Sequence, residues 1–472
     1  MTQVEQLAAY IQRARYEDLS PHARHLLKAH VLDALGCAIG AVSGEPVARL
    51  RAALDLLGGN PLATLIGGGR AAPDRAALYN GALVRYLDYN DSYITRGETC
   101  HPSDNLGAVL AAAEYAGGSG ADLLAALAVA YQVQCRLSAA APVRARGFDH
   151  TTQGAYAVAA GVARALGLDA AQTASAIAIS GAANNALRVT RTGTLSHWKG
   201  LAYPYTGASA TTAAFLAREG ITGPLEVFEG NKGFMEAIAG PFAVDWAHED
   251  LEAIASTSLK RYNAEFHSQS ALEGILELRA AHDLRGARIA QIERIEVAIF
   301  DVAYHIIGGG EEGNKQEAIQ TKEQADHSLP YLLAVALLDG EVGPAQYAPE
   351  RIVRADAQAL LRRVAIRPDE ALSRRFPEAM PCRITITLRD GSTLVVAKED
   401  YEGFFTRPMP WGQMTAKFHR LAAPFADAAL RGEIVEAVAN LEAIPVAELD
   451  ARLARVGPAP QGDAATGASR AE

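Results

Sequence analysis

The sequence predicts a mainly α-helical protein in which a large all-α domain carries a smaller α+β lid domain. Alanine-rich segments with helical spacing follow one another through residues 1–270. Alternation of apolar and polar residues, which is typical of half-buried strands, becomes frequent only within residues 271–405. Helical spacing then returns and continues to about residue 455. We therefore assign residues 1–270 and 406–456 to the all-α domain and residues 271–405 to the lid, and we expect the small, polar tail 457–472 to be disordered.

The helices of the larger domain begin and continue on recognisable signals. Ser20-Pro21 is a typical helix start, and apolar residues at helical spacing follow it. Later segments are rich in alanine, the strongest helix former, whose small side chain lets neighbouring helices approach closely. These segments are apolar nearly all round, which predicts buried helices at the centre of a bundle. Helices are expected at 77–87, 105–116, 121–137, 155–166 and 208–217, and one short strand is expected at 63–67.

The lid domain shows strand patterns separated by helical ones. In QIERIEVAIF (291–300), isoleucine and valine alternate with polar or small residues, as in a strand with one buried face. RITITLRDGSTLVVA (383–397) has two alternating runs around Asp390-Gly391, a dipeptide favoured in tight hairpin turns. Helices are expected at 268–282, 327–340 and 355–365, and, after the lid, at 411–423.

Composition excludes several classes of function. With 472 residues, 49% hydrophobic and 21% charged, the chain has the composition of a soluble globular protein. Its net charge of −10 and the lack of a long basic run argue against nucleic-acid and acidic-lipid surfaces. No signal peptide or membrane-spanning run is recognisable, so we expect a cytoplasmic protein without a membrane partner. The four cysteines are scattered without a CxxC pair, which predicts reduced thiols and no zinc or iron–sulfur site.

The most informative stretch is Tyr86–Asn105, which places several acidic side chains and a histidine between two apolar helical segments. Asp88 and Ser92 are four residues apart and would share a face if the preceding helix extends that far. Pro102 disfavours helix at His101, so this histidine should lie on an extended turn. A carboxylate, a hydroxyl and a histidine brought together could transfer protons. The alternative interpretation is an ordinary solvated connection.

Two further segments supply candidate cations. TRTGTLSHWKGLAYP (190–204) holds Arg191 and Lys199 in a Gly/Thr-rich loop, where they could bind carboxylates, although exposed loops commonly carry lysine anyway. SLKRYNAEFHSQSA (258–271) lies at the inferred domain junction, where clefts commonly form. It contains Lys260, Arg261, Glu265 and His267. In DHSLPY (326–331), Asp326 and Ser328 are interpreted as helix caps, and Tyr331 follows them.

Taken together, these segments resemble the MmgE/PrpD family, which includes 2-methylcitrate dehydratases and, more distantly, cis-aconitate decarboxylases. The resemblance runs from the helix at 31–41 to about residue 425. It implies a large all-α domain with a smaller α+β lid, a homodimer, and activity without a metal or other cofactor. The motifs that carry it are VLDALGCAIGA, LDYNDSY…HPSDNLG, TLSHWKG, SLKRYNAEFHSQSA and EQADHSLPYLLAVALLDGE.

The resemblance also implies roles for individual residues. Asp88, His101, Lys199 and Lys260 match the family's active-site positions. Ser92 stands where the decarboxylase branch has threonine, so the hydroxyl is kept. Glu265 stands where that branch has histidine, and this difference favours dehydration over decarboxylation. Cys100, Asp91 and Glu98 are left without a role. Substrate contacts are expected from Arg261, Glu265, His267 and Tyr331.

The reaction that fits these residues is β-elimination of water from a hydroxy-tricarboxylate such as 2-methylcitrate, citrate or isocitrate. One group removes a proton next to a carboxylate, another protonates the departing hydroxyl, and cations stabilise the charge that develops. Asp88 could orient His101 or could itself be the base. The alternatives are decarboxylation of cis-aconitate, epimerisation of an amino-dicarboxylate, or a catalytically silent dimer that binds a tricarboxylate or dicarboxylate.

Overall fold

A computed structural model describes residues 1–193, 195–311, 313–316 and 319–457. The chain is 58% helical with 9% in strands, and these strands form small sheets. The predicted fold class, mainly α with a smaller α+β part, is therefore confirmed. The tail that we expect to be disordered lies outside the described residues except for Gly457.

In the described residues of the first part of the chain, nine α-helices contribute buried faces to one apolar cluster. Helices α4 and α5 approach so closely that a Cβ atom on Gly107 would lie 2.4 Å from the backbone nitrogen of Gly81. Such contact explains the need for small residues in these helices. The helices are α1 Gln3–Arg13, α2 Pro21–Gly40, α3 Glu45–Leu57, α4 Pro73–Tyr86, α5 Leu106–Tyr115, α6 Gly120–Ala140, α7 Thr151–Ala165, α8 Ala170–Ala183 and α9 Trp198–Arg218.

Three predictions for this part need correction. Helix α9 begins at Trp198, so Lys199 lies in its first turn and not in a loop. Between Arg218 and Gln269 the described chain forms loops and short helical turns, and the helical pattern is not continuous to residue 270. The strand expected at 63–67 is only two residues long, and three other two-residue strands are present in this described part of the chain. The short strands are β1 Ala63–Thr64 with β2 Arg70–Ala71, and β3 Tyr93–Ile94 with β4 Thr99–Cys100.

A second apolar cluster contains Ile94 and residues from the range 264–404, and it is organised by a four-stranded sheet in the described part of the chain. The strand order is β6-β5-β7-β8, with β5 parallel to β6 and the other neighbours antiparallel. Strand β6 is absent from the sequence prediction, because the helix expected at 355–365 overlaps its first two residues. The strands are β5 Ile292–Ile299, β6 Val364–Pro368, β7 Cys382–Leu388 and β8 Thr393–Lys398.

Helices of this part pack around the sheet, and three more helices follow it. They are α10 Gln269–Ala281, α11 Asp301–Ala303, α12 Lys322–Ala325, α13 Leu329–Asp339, α14 Pro349–Ile352, α15 Ala355–Leu361, α16 Glu370–Ser373, α17 Trp411–Ala422, α18 Ala428–Ala439 and α19 Val446–Leu453. The last three contribute buried residues such as Phe418 and Leu449 to the first cluster. The domain boundaries given above stay a prediction.

Among the described helices, α6 alone has the length and apolar composition of a membrane span. Helices α2 and α3 pass the same test only when counted together across an 85° bend. Of the most apolar window of α6, 83% is buried inside the protein. Buried core helices pass this test too, so it is weak evidence for a membrane.

Candidate active site

Charged side chains from both parts of the described chain surround a cavity with about 550 Å³ of space, including its open mouth. Six Arg or Lys side chains, four histidines and two carboxylates line it. The excess of cations makes this a site for an anion. Its lining residues are Arg85, Asp88, Thr99, His101, Arg144, His150, Arg188, Arg191, Lys199, Lys260, Glu265, Phe266, His267, Ile306 and His327.

Several of these side chains lie where a helix begins. His101 precedes the 3₁₀ turn Pro102–Asn105 that leads into α5, and His150 precedes α7. Lys199 lies in the first turn of α9, and His267 lies just before α10. The amino end of a helix carries partial positive charge and unpaired N–H groups, which favour anions. The backbone therefore adds to the positive character of the cavity.

The hydrogen bonds of His101 determine which of its ring nitrogens can act as a base. Its Nδ1 lies 2.7 Å from the carbonyl oxygen of Asp91, an atom that only accepts hydrogen bonds. Nδ1 must therefore carry a proton, which leaves Nε2 of the neutral ring as an acceptor. Burial and the positive charges of Arg85 and Lys260 hold the pKa of His101 well below 6.5, although Asp88 opposes them. The ring is neutral at pH 7 and can accept a proton.

Asp91 holds this segment in place. Its buried carboxylate accepts hydrogen bonds from Tyr131 Oη at 2.7 Å and Ser103 Oγ at 2.7 Å, and His30 Nδ1 lies 2.9 Å away. The backbone N–H of Ser103 is the fourth polar group that contacts this carboxylate. Together the four groups satisfy a charge that would otherwise be costly to bury. The interpretation of Asp91 as a residue without a role is wrong, because its backbone and side chain together fix the segment that carries His101.

Ser92 contacts His101 and does not line the cavity. Its Oγ lies 3.0 Å from the same Nδ1 that donates to Asp91, and the residue is fully buried. Its backbone pairs with Ser258, which joins this segment to the one that carries Lys260. This position favours orientation of the imidazole by Ser92 over a direct contact with substrate, and its catalytic role stays a prediction.

Replacing Ser92 with alanine is expected to lower kcat by roughly 2- to 10-fold, since it removes one hydrogen bond worth about 0.5–1.5 kcal/mol. The Nδ1 proton would still be held by Asp91. Steady-state kinetics together with a melting curve would measure this. A loss above about 100-fold in a folded variant would return Ser92 to a direct chemical role.

Asp88 is surrounded by cations. Its Oδ1 lies 2.7 Å from Arg85 Nη1 and 2.6 Å from Lys260 Nζ, and its Oδ2 lies 3.3 Å from Lys199 Nζ. Burial alone would raise the pKa of Asp88, but these three cations outweigh it and hold the pKa well below 3.8. Its backbone has a φ of +54°, a left-handed conformation that is uncommon outside glycine. An ionised, triply paired carboxylate is a poor base, so these contacts favour a role for Asp88 in arranging the cations over a role as the base.

Lys199 connects the two parts of the chain. Its Nζ lies 3.3 Å from Asp88 Oδ2, 3.3 Å from Asp326 Oδ1 and 3.1 Å from His327 Nδ1. Asp88, Asp326 and His327 are close enough together to hold a metal ion, but the ammonium group of Lys199 already lies among them. Burial lowers the pKa of Lys199, although Asp326 and Asp88 oppose this.

The interpretation of Asp326 as a helix cap is wrong. Ser328 does cap α13, accepting from the backbone N–H of Tyr331. The carboxylate of Asp326 instead pairs with Lys199 and, at 2.9 Å, with Lys322. These cations outweigh burial, which alone would raise its pKa, and the pKa of Asp326 falls below 3.8.

His150 was missed by the sequence reasoning, although it lines the cavity. Its ring lies 5.5 Å from that of His101, and its Nε2 has no hydrogen-bond partner among the described residues. Burial and nearby arginines lower its pKa to about 3 despite the adjacent Asp149, so its ring is neutral. The preceding Asp149 pairs with Arg191 at 2.9 Å. A usable signal was the Asp-His pair immediately before an alanine-rich helix.

Glu265 and His267 form a hydrogen-bonded pair in the cavity wall. His267 Nδ1 lies 2.6 Å from Glu265 Oε1, and the His267 backbone N–H donates to Oε2 at 2.8 Å. Burial would raise the pKa of Glu265, but His267 and other nearby positive groups lower it to about 2. Nε2 of His267 has no partner in the described part of the chain and is buried, so it is available to a ligand.

Two predicted substrate contacts are not supported by their positions. Arg261 pairs with Glu402 and is partly exposed, and it does not line the cavity. Tyr331 is 0% exposed, and its hydroxyl donates to the carbonyl oxygen of Gln346 inside the second apolar cluster. Arg261 is held by an acidic partner at a partly exposed position and Tyr331 fills the core, so both substrate contacts stay predictions that the structure does not support.

Comparison with known proteins accounts for most of the chain. The MmgE/PrpD N-terminal domain model matches residues 5–247, and the C-terminal domain model matches residues 262–443. The chain belongs to the MmgE/PrpD family. It is 28% identical to a 2-methylcitrate dehydratase of Cupriavidus necator, over 80% of this chain and 81% of that protein. It is 29% identical to an alkylcitrate dehydratase of a fungal species, over 89% and 87%, and 26% identical to a 2-methylcitrate dehydratase of Escherichia coli, over 77% and 78%.

This membership supports a dehydratase-type lyase. Of the residues that the family resemblance singles out, Asp88, His101, Lys199, Lys260 and Glu265 line one cavity. Their individual roles stay predictions.

Proposed function

We propose that this protein removes water from 2-methylcitrate or a closely related hydroxy-tricarboxylate by acid/base β-elimination. The observation that carries the proposal is a neutral histidine, His101, with an acceptor Nε2 in a cavity lined by six Arg or Lys side chains. Three substrate carboxylates need several cations, and proton abstraction needs a base in its unprotonated form. Relatives named 2-methylcitrate dehydratase and alkylcitrate dehydratase support this substrate class.

In the proposed reaction, Nε2 of His101 takes a proton from the carbon next to a substrate carboxylate. The electron pair of that C–H bond forms the C=C bond while the neighbouring C–O bond breaks. The departing hydroxide takes a proton and leaves as water. Lys199 is the proposed proton donor, because burial lowers its pKa and makes its ammonium a stronger acid than an exposed lysine.

The remaining cations hold the carboxylates and oppose the negative charge that develops on the one beside the reacting carbon. Lys260 and Arg85 pair with Asp88, and Arg191 pairs with Asp149. Such groups are fixed before the reaction begins, which is how preorganised charges lower a barrier. General acid–base groups contribute about 10²–10⁴-fold each.

The test is to incubate the protein with 2-methylcitrate, citrate, isocitrate or cis-aconitate and to follow the absorbance of the conjugated alkene. We expect alkene formation from 2-methylcitrate, and the same rate after treatment with a chelator. Release of carbon dioxide from cis-aconitate would instead identify a decarboxylase. Binding of these acids without turnover of any would identify a silent carboxylate-binding protein.

A further inference from the structure

A lysine outside the cavity is bonded to both segments that carry the paired Asp88 and Lys260. Lys417 lies on α17 and is almost fully buried, with 3% of its side chain exposed. Its Nζ lies 2.7 Å from Asp33 Oδ1 and donates to the carbonyl oxygens of Tyr89 and Lys260, each at 2.8 Å. It also lies 3.6 Å from the centre of the Tyr89 ring. Two of the ammonium hydrogens therefore have carbonyl acceptors, and Asp33 supplies the opposite charge.

The two carbonyls are significant because of where they lie in the chain. Tyr89 directly follows Asp88, and the second carbonyl belongs to Lys260 itself. The side chains of Asp88 and Lys260 meet at 2.6 Å inside the cavity. Lys417 thus joins, from outside the cavity, two backbone segments whose side chains form an ion pair within it.

The backbone at Asp88 needs such support. Its left-handed conformation is sparsely populated for residues other than glycine, and it persists only where the surroundings hold it. The residue that follows Asp88 is restrained by the Lys417 bond to the Tyr89 carbonyl and by the hydroxyl of Tyr89, which donates to the Arg261 carbonyl at 2.5 Å. Asp33, in the VLDALGC motif, acts as the counterion that makes burial of Lys417 tolerable.

We propose that Lys417 is a positioning residue that sets the distance between Asp88 and Lys260, and that Asp33 stabilises Lys417 without itself positioning the site. For its kinetic arm the proposal rests on the dehydratase function proposed above. A misplacement of about 1 Å in a reacting group can cost about 100-fold in rate. The inference assigns a role to a C-terminal helix that contributes no side chain to the cavity lining.

The experiment compares three substitutions that each remove one charge, which is buried at Lys417 and Asp33 and partly buried at Lys28. Lys417→Met removes the donor to both carbonyls, whereas Asp33→Asn keeps Lys417 and its two carbonyl bonds. Lys28→Met is a matched control, because Lys28 also pairs with a carboxylate, Glu442 at 3.0 Å, and donates to a carbonyl, that of Ala439 at 2.8 Å, far from the cavity. All three are expected to lower the melting temperature.

Only Lys417→Met is expected to lower kcat/KM, by about 10- to 100-fold, with less than a 3-fold change for the other two. It is also expected to speed hydrogen–deuterium exchange of backbone amides at 88–92 and 258–261, and to weaken citrate binding in calorimetry. If Lys417→Met does not fold, the double variant Asp33→Leu with Lys417→Met replaces the ion pair by apolar groups and should show the same losses.

Equal losses in all three variants would overturn the proposal, as would a folded Lys417→Met protein with normal activity and normal exchange at both segments. The exchange measurement needs no substrate. If the wild-type protein dehydrates none of the acids, the proposed function fails while the exchange pattern still decides the role of Lys417.

Discussion

Replacing His101 with glutamine is expected to lower kcat for dehydration by about 10²–10⁴-fold, the usual contribution of a general base. Glutamine keeps a polar side chain of similar size but offers no nitrogen that can accept a proton. Absorbance of the alkene product would measure the loss, and Ser92→Ala provides the matched control because it alters only the partner of Nδ1. Full activity of the folded His101→Gln protein would remove His101 from the mechanism.

The pKa of His101 also predicts the direction of the pH dependence. Burial and two cations lower this pKa below 6.5, so the base form persists below that pH. We expect kcat/KM to fall only as the pH drops through this lowered pKa, and the acid limb of the profile to lie below 6.5. In that window the unfolded chain binds the proton more readily than the folded protein, so stability also falls with falling pH. An acid limb above pH 6.5 that disappears in His101→Gln would contradict the assignment.

Much of the fold could be predicted because it depends on local periodicity. Helices α4 to α7 and the hairpin of β7 and β8 each show their spacing in the sequence itself. Strand β6 could not be separated from the helix before it, because its identity depends on pairing with β5, some 70 residues earlier. The start of α9 was hidden because glycine and threonine precede it and Pro204 lies inside it.

For the site, sequence reasoning identified the residue types more reliably than their surroundings. Asp326 has the local pattern of a cap, yet its partner Lys199 is 127 positions away. Tyr331 and Arg261 were placed at the site by resemblance and position, but which way a side chain points depends on packing. His150 follows Asp149 directly before an alanine-rich helix, but it lies outside the motifs that carry the family resemblance, and only the arrangement of α7 against the His101 turn brings the two rings together.

The largest combined effect on binding and stability is expected from Lys199→Met. The substitution removes the ammonium that lies between Asp88 and Asp326, leaving two buried carboxylates with fewer partners. Breaking a buried ion pair in this way typically costs about 3–5 kcal/mol. It also removes a cation from the cavity wall and the proposed proton donor, so kcat/KM should fall by at least about 10³-fold, combining lost charge stabilisation with lost proton transfer.

Lys322→Met separates these two consequences. Lys322 pairs with the same Asp326 at 2.9 Å and is mostly buried, but it does not line the main cavity. Both variants therefore remove one cation from Asp326, and both should unfold at lower denaturant concentration than the wild type. Only Lys199→Met should lose citrate binding and turnover, because only its ammonium can reach a substrate in the cavity. If the two variants lost activity in equal proportion, Lys199 would act by neutralising Asp326, and proton donation to the leaving hydroxyl would have to be assigned to another group.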